Sequence, residues 1–304
     1  PWTGHRQMTT SQNFSPKHPP RSARHNIHGI DYHVLEWGDP SRPPLVVLHG
    51  WGDCAASFQF LVDELDDDTY VVAPDWRGFG KTASRARSYW FTDYIADLHA
   101  LLAIYSPDRP VDLLGHSMGA NAAALYAGTF PERIRRFVNA EGFGLPDGDP
   151  ADAPSNYRRW IERRLEAAGY ATFGSFDDLA ARIRKRSPSM PVDRARFVAE
   201  QWAHEVEGGR IELHADPAHK VPNPILYRRA EAAACWQAIQ ADVLLVMGDA
   251  SEFGKAMADW QHPDPAERPF PGAGLVVIPG CGHMLHFEKP VELAQAVRAF
   301  LTAP

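Results

Sequence analysis

The chain has 304 residues, 44% of them hydrophobic, with a formal net charge of −7 and a pI near 6.1. That suffices for the core of one large α/β domain with an insertion, and the acidic balance carries no electrostatic footprint for nucleic acid. No run approaches the roughly 18 apolar residues of a membrane span, and three cysteines (Cys54, Cys235, Cys281) are too sparse for a disulfide framework, so reduced thiols and a cytoplasmic setting are expected.

From the N-terminus, Pro1 to Asn26 is polar and rich in Pro, Ser, Arg and His, without the apolar stretch of a signal peptide. Met8-Thr9-Thr10-Ser11 reads as a native start behind an added segment, residues 1–7, and residues 1–26 as a poorly packed arm. A two-strand hairpin around His28-Gly29 is expected over Ile27 to Trp37. The apolar strand Leu45-Val46-Val47-Leu48 then runs into His49-Gly50-Trp51-Gly52. Glycine there lets a backbone N–H point at a developing negative charge, so the amides of Trp51 and Met118 are candidate oxyanion donors; the alternative is an ordinary strand-ending turn. Another strand, Tyr70 to Ala73, leads to Asp75-Trp76-Arg77-Gly78-Phe79-Gly80.

The third apolar run, Val111 to Leu114, precedes Gly115-His116-Ser117-Met118-Gly119 and a helical stretch from Ala120 to Ala127. A serine between two glycines in a strand, turn, helix context matches a nucleophile elbow, in which the hydroxyl stands exposed near a helix N-terminus. Arg136 to Ala140 forms the next strand and ends at Glu141-Gly142.

From Leu145 to about Ala241 helical periodicity replaces the β/α alternation. Tyr157, Trp160, Ile161, Leu165 and Ala168 fall at spacings of three and four, as do Leu179 and Ile183, then Val198, Trp202 and Val206. Ser175 to Asp178 resembles a capping box, and Gly208-Gly209 is expected to end the third helix. Arg158, Arg159, Arg163, Arg164, Arg184 and Arg186 read as a solvated face, with binding of an acidic substrate as the alternative. Trp160 and Trp202 are candidates for lining an acyl pocket, with packing in the core of the insert as the alternative.

Strands over residues 243–247 and 275–278 close the pattern. Near-continuous apolar character suits strands buried on both faces of a parallel sheet. Pro279-Gly280-Cys281-Gly282-His283 is a glycine-flanked turn that can present an imidazole. A serine hydroxyl needs a base to take its proton, and His283 is placed to supply it; His286 reads as packing or as a support behind the site. No cysteine or histidine cluster suggests a metal, and no cofactor is expected.

These motifs, with the Asp75 to Gly80 turn and Glu288-Lys289-Pro290, resemble the α/β-hydrolases of the lid-bearing esterase type over roughly residues 27 to 302. The resemblance implies a mostly parallel sheet with helices on both faces, a core of residues 27–144 and 242–304, and a helical lid over 145–241. Most relatives place the acid three residues beyond the glycine that ends the strand after the lid; here that position, counted from Gly248, is Ser251. An alternative place in the family follows the strand before the lid, and Glu141 stands there, with Gly142 to permit the turn. Glu141 is the favoured acid, with Glu252 and Asp249 as alternatives. The expected reaction is hydrolysis of a small carboxylic ester by Ser117, His283 and Glu141. A carbon–carbon bond hydrolase or cofactor-free perhydrolase on the same groups, and a non-enzymatic ligand receptor, are the alternatives.

Overall fold

The computed structural model describes residues 13–84, 86–166 and 169–303. The expected start at Met8 and the added segment, residues 1–7, lie outside them, as does Ala168. The strands are β1 (Arg21–Ile27), β2 (Ile30–Trp37), β3 (Pro44–Leu48), β4 (Tyr70–Pro74), β5 (Val111–His116), β6 (Ile134–Ala140), β7 (Ala203–Val206), β8 (Arg210–Leu213), β9 (Asp242–Gly248) and β10 (Gly274–Ile278). The helices are α1 (Gln59–Val62), α2 (Phe91–Tyr105), α3 (Met118–Thr129), α4 (Ala153–Leu165), α5 (Phe176–Arg186), α6 (Val192–Trp202), α7 (Arg229–Ala238), α8 (Gly254–Trp260), α9 (Leu285–Glu288) and α10 (Pro290–Leu301).

Eight strands form one sheet in the order β1-β2-β4-β3-β5-β6-β9-β10. It is antiparallel at β1-β2 and β2-β4 and parallel from β4 onward. β3 shows why its sequence is apolar throughout. Val46 and Leu48 belong to one buried cluster with residues of α2 and α3, while Leu45 and Val47 belong to another with residues of α1 and α10. Successive side chains point to opposite faces, so covering both faces demands an unbroken apolar run. The parallel order brings the segments that follow β3, β5, β6, β9 and β10 to one edge, the place where open α/β sheets bind ligands.

Between β6 and β9 lie α4 to α7 and the β7-β8 hairpin. Leu179, Ile183, Val198 and Ala199 of this insert share an apolar cluster with Phe60 and Phe287 of the sheet domain. Ser175 caps α5, accepting the Asp178 N–H at 3.1 Å. Two expectations for the insert are corrected. The third helix ends at Trp202, and Val206 sits on a strand, because Gly208 and Gly209, at φ 84° and 74°, form the tight turn of a hairpin instead of a helix stop. On α4 the apolar spacing buries little: Tyr157, Ile161 and Leu165 are exposed.

The N-terminal arm also differs from expectation. β1 starts at Arg21, so residues 21–26 are paired strand, and Phe14 packs edge-on against Phe60 and Phe197 at 4.8 and 5.0 Å. Among the described residues, no helix is long and apolar enough to cross a membrane.

Candidate active site

β5 delivers Ser117 into a backbone conformation that few L-residues adopt, φ 52° and ψ −118°. The Ser117 N–H donates to the Ala140 carbonyl at 2.9 Å, which fixes the turn against the end of β6. The flanking glycines serve close approach: a Cβ at Gly115 would strike the Ala120 backbone, and one at Gly119 the Leu48 carbonyl oxygen. Gly50 acts alike from the other side, since a Cβ there would lie 3.1 Å from the Ser117 Cβ. His49 holds this loop. Its Nδ1–H donates to the Gly50 carbonyl at 2.7 Å and its Nε2 accepts the Trp76 N–H at 2.9 Å, while burial pushes its pKa down.

The two candidate oxyanion amides lie on this loop and at the start of α3, where the first N–H groups have no intrahelical acceptor. Neither the Trp51 nor the Met118 amide has a hydrogen-bond acceptor among the described residues. The Trp51 side chain itself is exposed.

Glu141, directly after β6, is buried and also strained, at φ 60°. The sequence expectation assigned the turn to Gly142; the positive φ belongs to Glu141 itself, and Gly142 is needed because a Cβ would lie 2.5 Å from that of Ala120. Asn139 clamps the bend, accepting the Gly142 N–H at 2.8 Å and donating to its carbonyl at 3.2 Å. The Glu141 carboxylate is fully engaged. Its Oε1 accepts the Gly248 N–H at 2.8 Å, and its Oε2 accepts the Ser251 hydroxyl at 2.6 Å and lies 2.7 Å from His283 Nδ1. The other two carboxyls weighed from the sequence lie elsewhere: Glu252 pairs with Arg186 at 2.9 Å on the exposed surface, and Asp249 accepts the Gly280 N–H at 2.7 Å.

His283 is held through its main chain as well, its carbonyl accepting from His116 Nε2 at 2.8 Å. His116 is buried, and burial above all, then the neighbouring His286 and His283, holds its pKa well below the usual imidazole range. His286 packs beneath, fully buried, with Nε2 3.0 Å from Asp53 Oδ2. Asp53 also accepts from the Cys54 amide, the Ser57 hydroxyl and Trp202 Nε1, at 2.8, 2.9 and 2.8 Å. Burial raises the Asp53 pKa, but the His286 hydrogen bond and its other partners outweigh it and hold the carboxyl below its ordinary value. Asp53, His116 and His286 bring three potential ligand atoms within 4.8 Å of one another, a grouping that residues so far apart in sequence do not announce. Ser251, Asn139, His116 and Asp53 are the residues that sequence reasoning missed; Asn139 clamps a turn three residues on, Ser251, His116 and Asp53 also meet partners far away in sequence, and only Ser251, standing where an acid was sought, offered a signal.

A cavity of about 240 Å³ opens between the insert and the sheet edge, bounded by Trp51, Met284 and Phe287 from below and by Leu179, Ile183 and Trp202 from above. Trp202 therefore lines the space beside the His49 to Gly52 loop. Trp160, expected to do the same, does not; its ring carries the Arg164 guanidinium at 4.7 Å instead. The α4 stripe to which it belongs faces largely outward. Cys281 is buried, and burial, followed by the charges of Glu288 and Glu141, pushes its thiol up to about 12, which suits an inert turn residue.

A family model for the alpha/beta hydrolase fold matches residues 43–290. The chain belongs to the alpha/beta hydrolase family. It is 27% identical over 282 residues to a 2-(acetamidomethylene)succinate hydrolase of Mesorhizobium japonicum, covering 93% of this chain and 95% of that protein. It is 24% identical over 284 residues to a human serine hydrolase-like protein 2, covering 87% and 88%. Among solved structures, an E-2-(acetamidomethylene)succinate hydrolase superposes with a TM-score of 0.74 at 25% identity, over 94% of this chain and all 100% of that one. Hydrolases of this family are enzymes with a mostly parallel sheet, as found here.

Proposed function

We propose that this hydrolase cleaves small carboxylic esters through an acyl-enzyme. Ser117 Oγ attacks the ester carbonyl while His283 accepts its proton; Glu141 holds the imidazole in the required tautomer and stabilises its charged form. The amides of Trp51 and Met118 receive the developing oxyanion. The alkoxide leaves with the proton returned by His283, and water, deprotonated by the same imidazole, releases the acid and regenerates the serine. Residues 145–241 act as a lid that closes the cavity from above.

The observation that carries the reading is the 2.7 Å contact between Glu141 Oε2 and His283 Nδ1, made from a turn at positive φ. Support comes from the serine in its strained elbow against Gly50, and from relatives whose names describe hydrolases. The test is labelling by a fluorophosphonate together with turnover of short p-nitrophenyl esters. Both should occur in the wild type, and Ser117→Ala should abolish labelling and lower kcat by roughly 10⁴ to 10⁶. Turnover of a vinylogous diketone exceeding that of the esters would move the reaction to carbon–carbon cleavage, and absence of labelling would favour a receptor.

A further inference from the structure

The cavity beside the His49 to Gly52 loop is apolar on most of its wall, yet one stripe of α5 is not. Leu179, Arg182, Ile183 and Arg186 all line it, at the spacings of three and four that put residues on one helix face. The apolar pair fills the wall and the two arginines flank Ile183. Their charges are not equivalent. Arg186 is committed to Glu252 at 2.9 Å, whereas Arg182 has no carboxylate partner among the described residues.

A second donor in the wall lacks an acceptor. The Tyr170 hydroxyl is buried with no hydrogen-bond partner, and burial pushes its pKa up to about 12, so it stays an O–H donor. A buried donor without an acceptor is costly unless a ligand supplies one. The one carboxylate in the lining, Asp53, does not answer this demand, because its oxygens already accept from Cys54, Ser57, Trp202 and His286. His214, also in the lining, is pushed down by burial and by its neighbour His204, so at neutral pH it adds no competing positive charge.

We infer that the part of the substrate entering this cavity carries a carboxylate, with Arg182 as the residue that selects it and the Tyr170 hydroxyl as a second donor. The inference rests on the proposed ester hydrolysis and narrows it to half-esters of dicarboxylic acids or esters of hydroxy acids. Both classes present one carboxylate a few carbons from the ester. A guanidinium binds it by charge-assisted hydrogen bonds, through a planar fork that an ammonium lacks.

The experiment compares kcat/KM for mono-4-nitrophenyl glutarate with that for 4-nitrophenyl valerate, and for 4-(valeryloxy)benzoate with that for phenyl valerate. Each pair matches a carboxylate with its neutral counterpart, on the acyl side and on the leaving-group side. In one pair the wild type should favour the anion, and Arg182→Gln should cut the anion-to-neutral ratio by about 10- to 100-fold, the scale of a charge-assisted hydrogen bond. Arg182→Lys should recover only part of it. The pair that responds shows which side of the ester enters the cavity. If wild type turns over all four esters and neither ratio responds to Arg182→Gln, the inference fails while ester hydrolysis stands. If no ester is turned over, the hydrolysis reading fails, and free glutarate decides the site separately: it should raise the melting temperature of the wild type but not of Arg182→Gln. Equal shifts in both proteins, or none, would overturn it.

Discussion

The Ser251 hydroxyl donates to the same Glu141 oxygen that faces His283 Nδ1, at 2.6 and 2.7 Å. The position from which most relatives extend their acid thus supports an acid arriving from another strand. On the proposed roles, Glu141→Gln should lose on the order of 10³ to 10⁴ in kcat, because a neutral amide no longer fixes the tautomer. Glu252→Gln and Asp249→Asn should stay within about tenfold of wild type, since neither touches His283. Ser251→Ala removes one charge-assisted hydrogen bond and should cost roughly tenfold. The double variant Glu141→Gln, Ser251→Asp moves the carboxylate back to the commoner place and should exceed Glu141→Gln alone. Steady-state rates on one p-nitrophenyl ester check all five; equal activity of Glu141→Gln and wild type would sink the assignment.

Two histidines three residues apart should separate activity from stability. His283→Ala should abolish turnover, and some stability is lost with it, because the buried Glu141 then keeps only the Gly248 N–H and the Ser251 hydroxyl. His286→Ala should lower stability while retaining turnover. It leaves the buried Asp53 short of a partner, and breaking a buried pair costs about 3 to 5 kcal/mol. Thermal melts beside initial rates distinguish the two, and the reverse pattern would transfer the base to His286.

Much of this was legible because the physics is local. An apolar run buried on both faces reads as a parallel strand, and Gly115 to Gly119 and Gly280 to His283 are turns whose residue types state their own geometry. Glu141 could be favoured over Glu252 by position, but its positive φ, assigned beforehand to Gly142, is imposed by tertiary contacts with Val246 and Gly248. The β7-β8 hairpin escaped because Val198, Trp202 and Val206 keep a helical spacing across a helix that ends midway. Periodicity finds faces; it does not find what a face meets. So Trp160 and Trp202 looked alike, and only packing shows that one lines the cavity and the other does not.

Those two tryptophans should behave differently. Trp202→Ala should widen the cavity, shifting the preferred acyl length, and should lower stability by up to about 3 to 5 kcal/mol. Trp202→Phe keeps the wall but withdraws the Nε1–H from Asp53, so it should cost about 1 to 3 kcal/mol with selectivity retained. Trp160→Ala should leave chain-length preference unchanged. A panel of p-nitrophenyl esters of graded length beside melting curves reads both effects, and a selectivity change in Trp160→Ala with none in Trp202→Ala would contradict the placement.

Acid sensitivity follows from histidines kept neutral inside the fold. Burial is the first cause of a lowered pKa for His49, His116, His214 and His219, and His219, stacked between Phe79 and Tyr89 at 3.7 Å from each ring, is taken to about 3. In the unfolded chain imidazoles protonate near 6.5, so below that pH the unfolded state binds more protons than the folded one, and stability falls as pH falls. Asp53 and Asp75, both held below their ordinary values against the opposing effect of burial, add to the loss only once the pH drops below about 4. The melting temperature should therefore be level above about pH 7 and decline steadily from 6.5 toward 4.5, each histidine contributing at most about 1.4 kcal/mol per pH unit. His219→Gln isolates one contribution. It should lower stability at pH 7 through lost stacking, yet show a shallower decline with acid than the wild type, by up to one proton's worth. Melting curves across pH 4.5 to 8 read the slope; an unchanged slope in His219→Gln, or a wild type whose stability is flat between 4.5 and 6.5, would contradict the neutral state assigned to these rings.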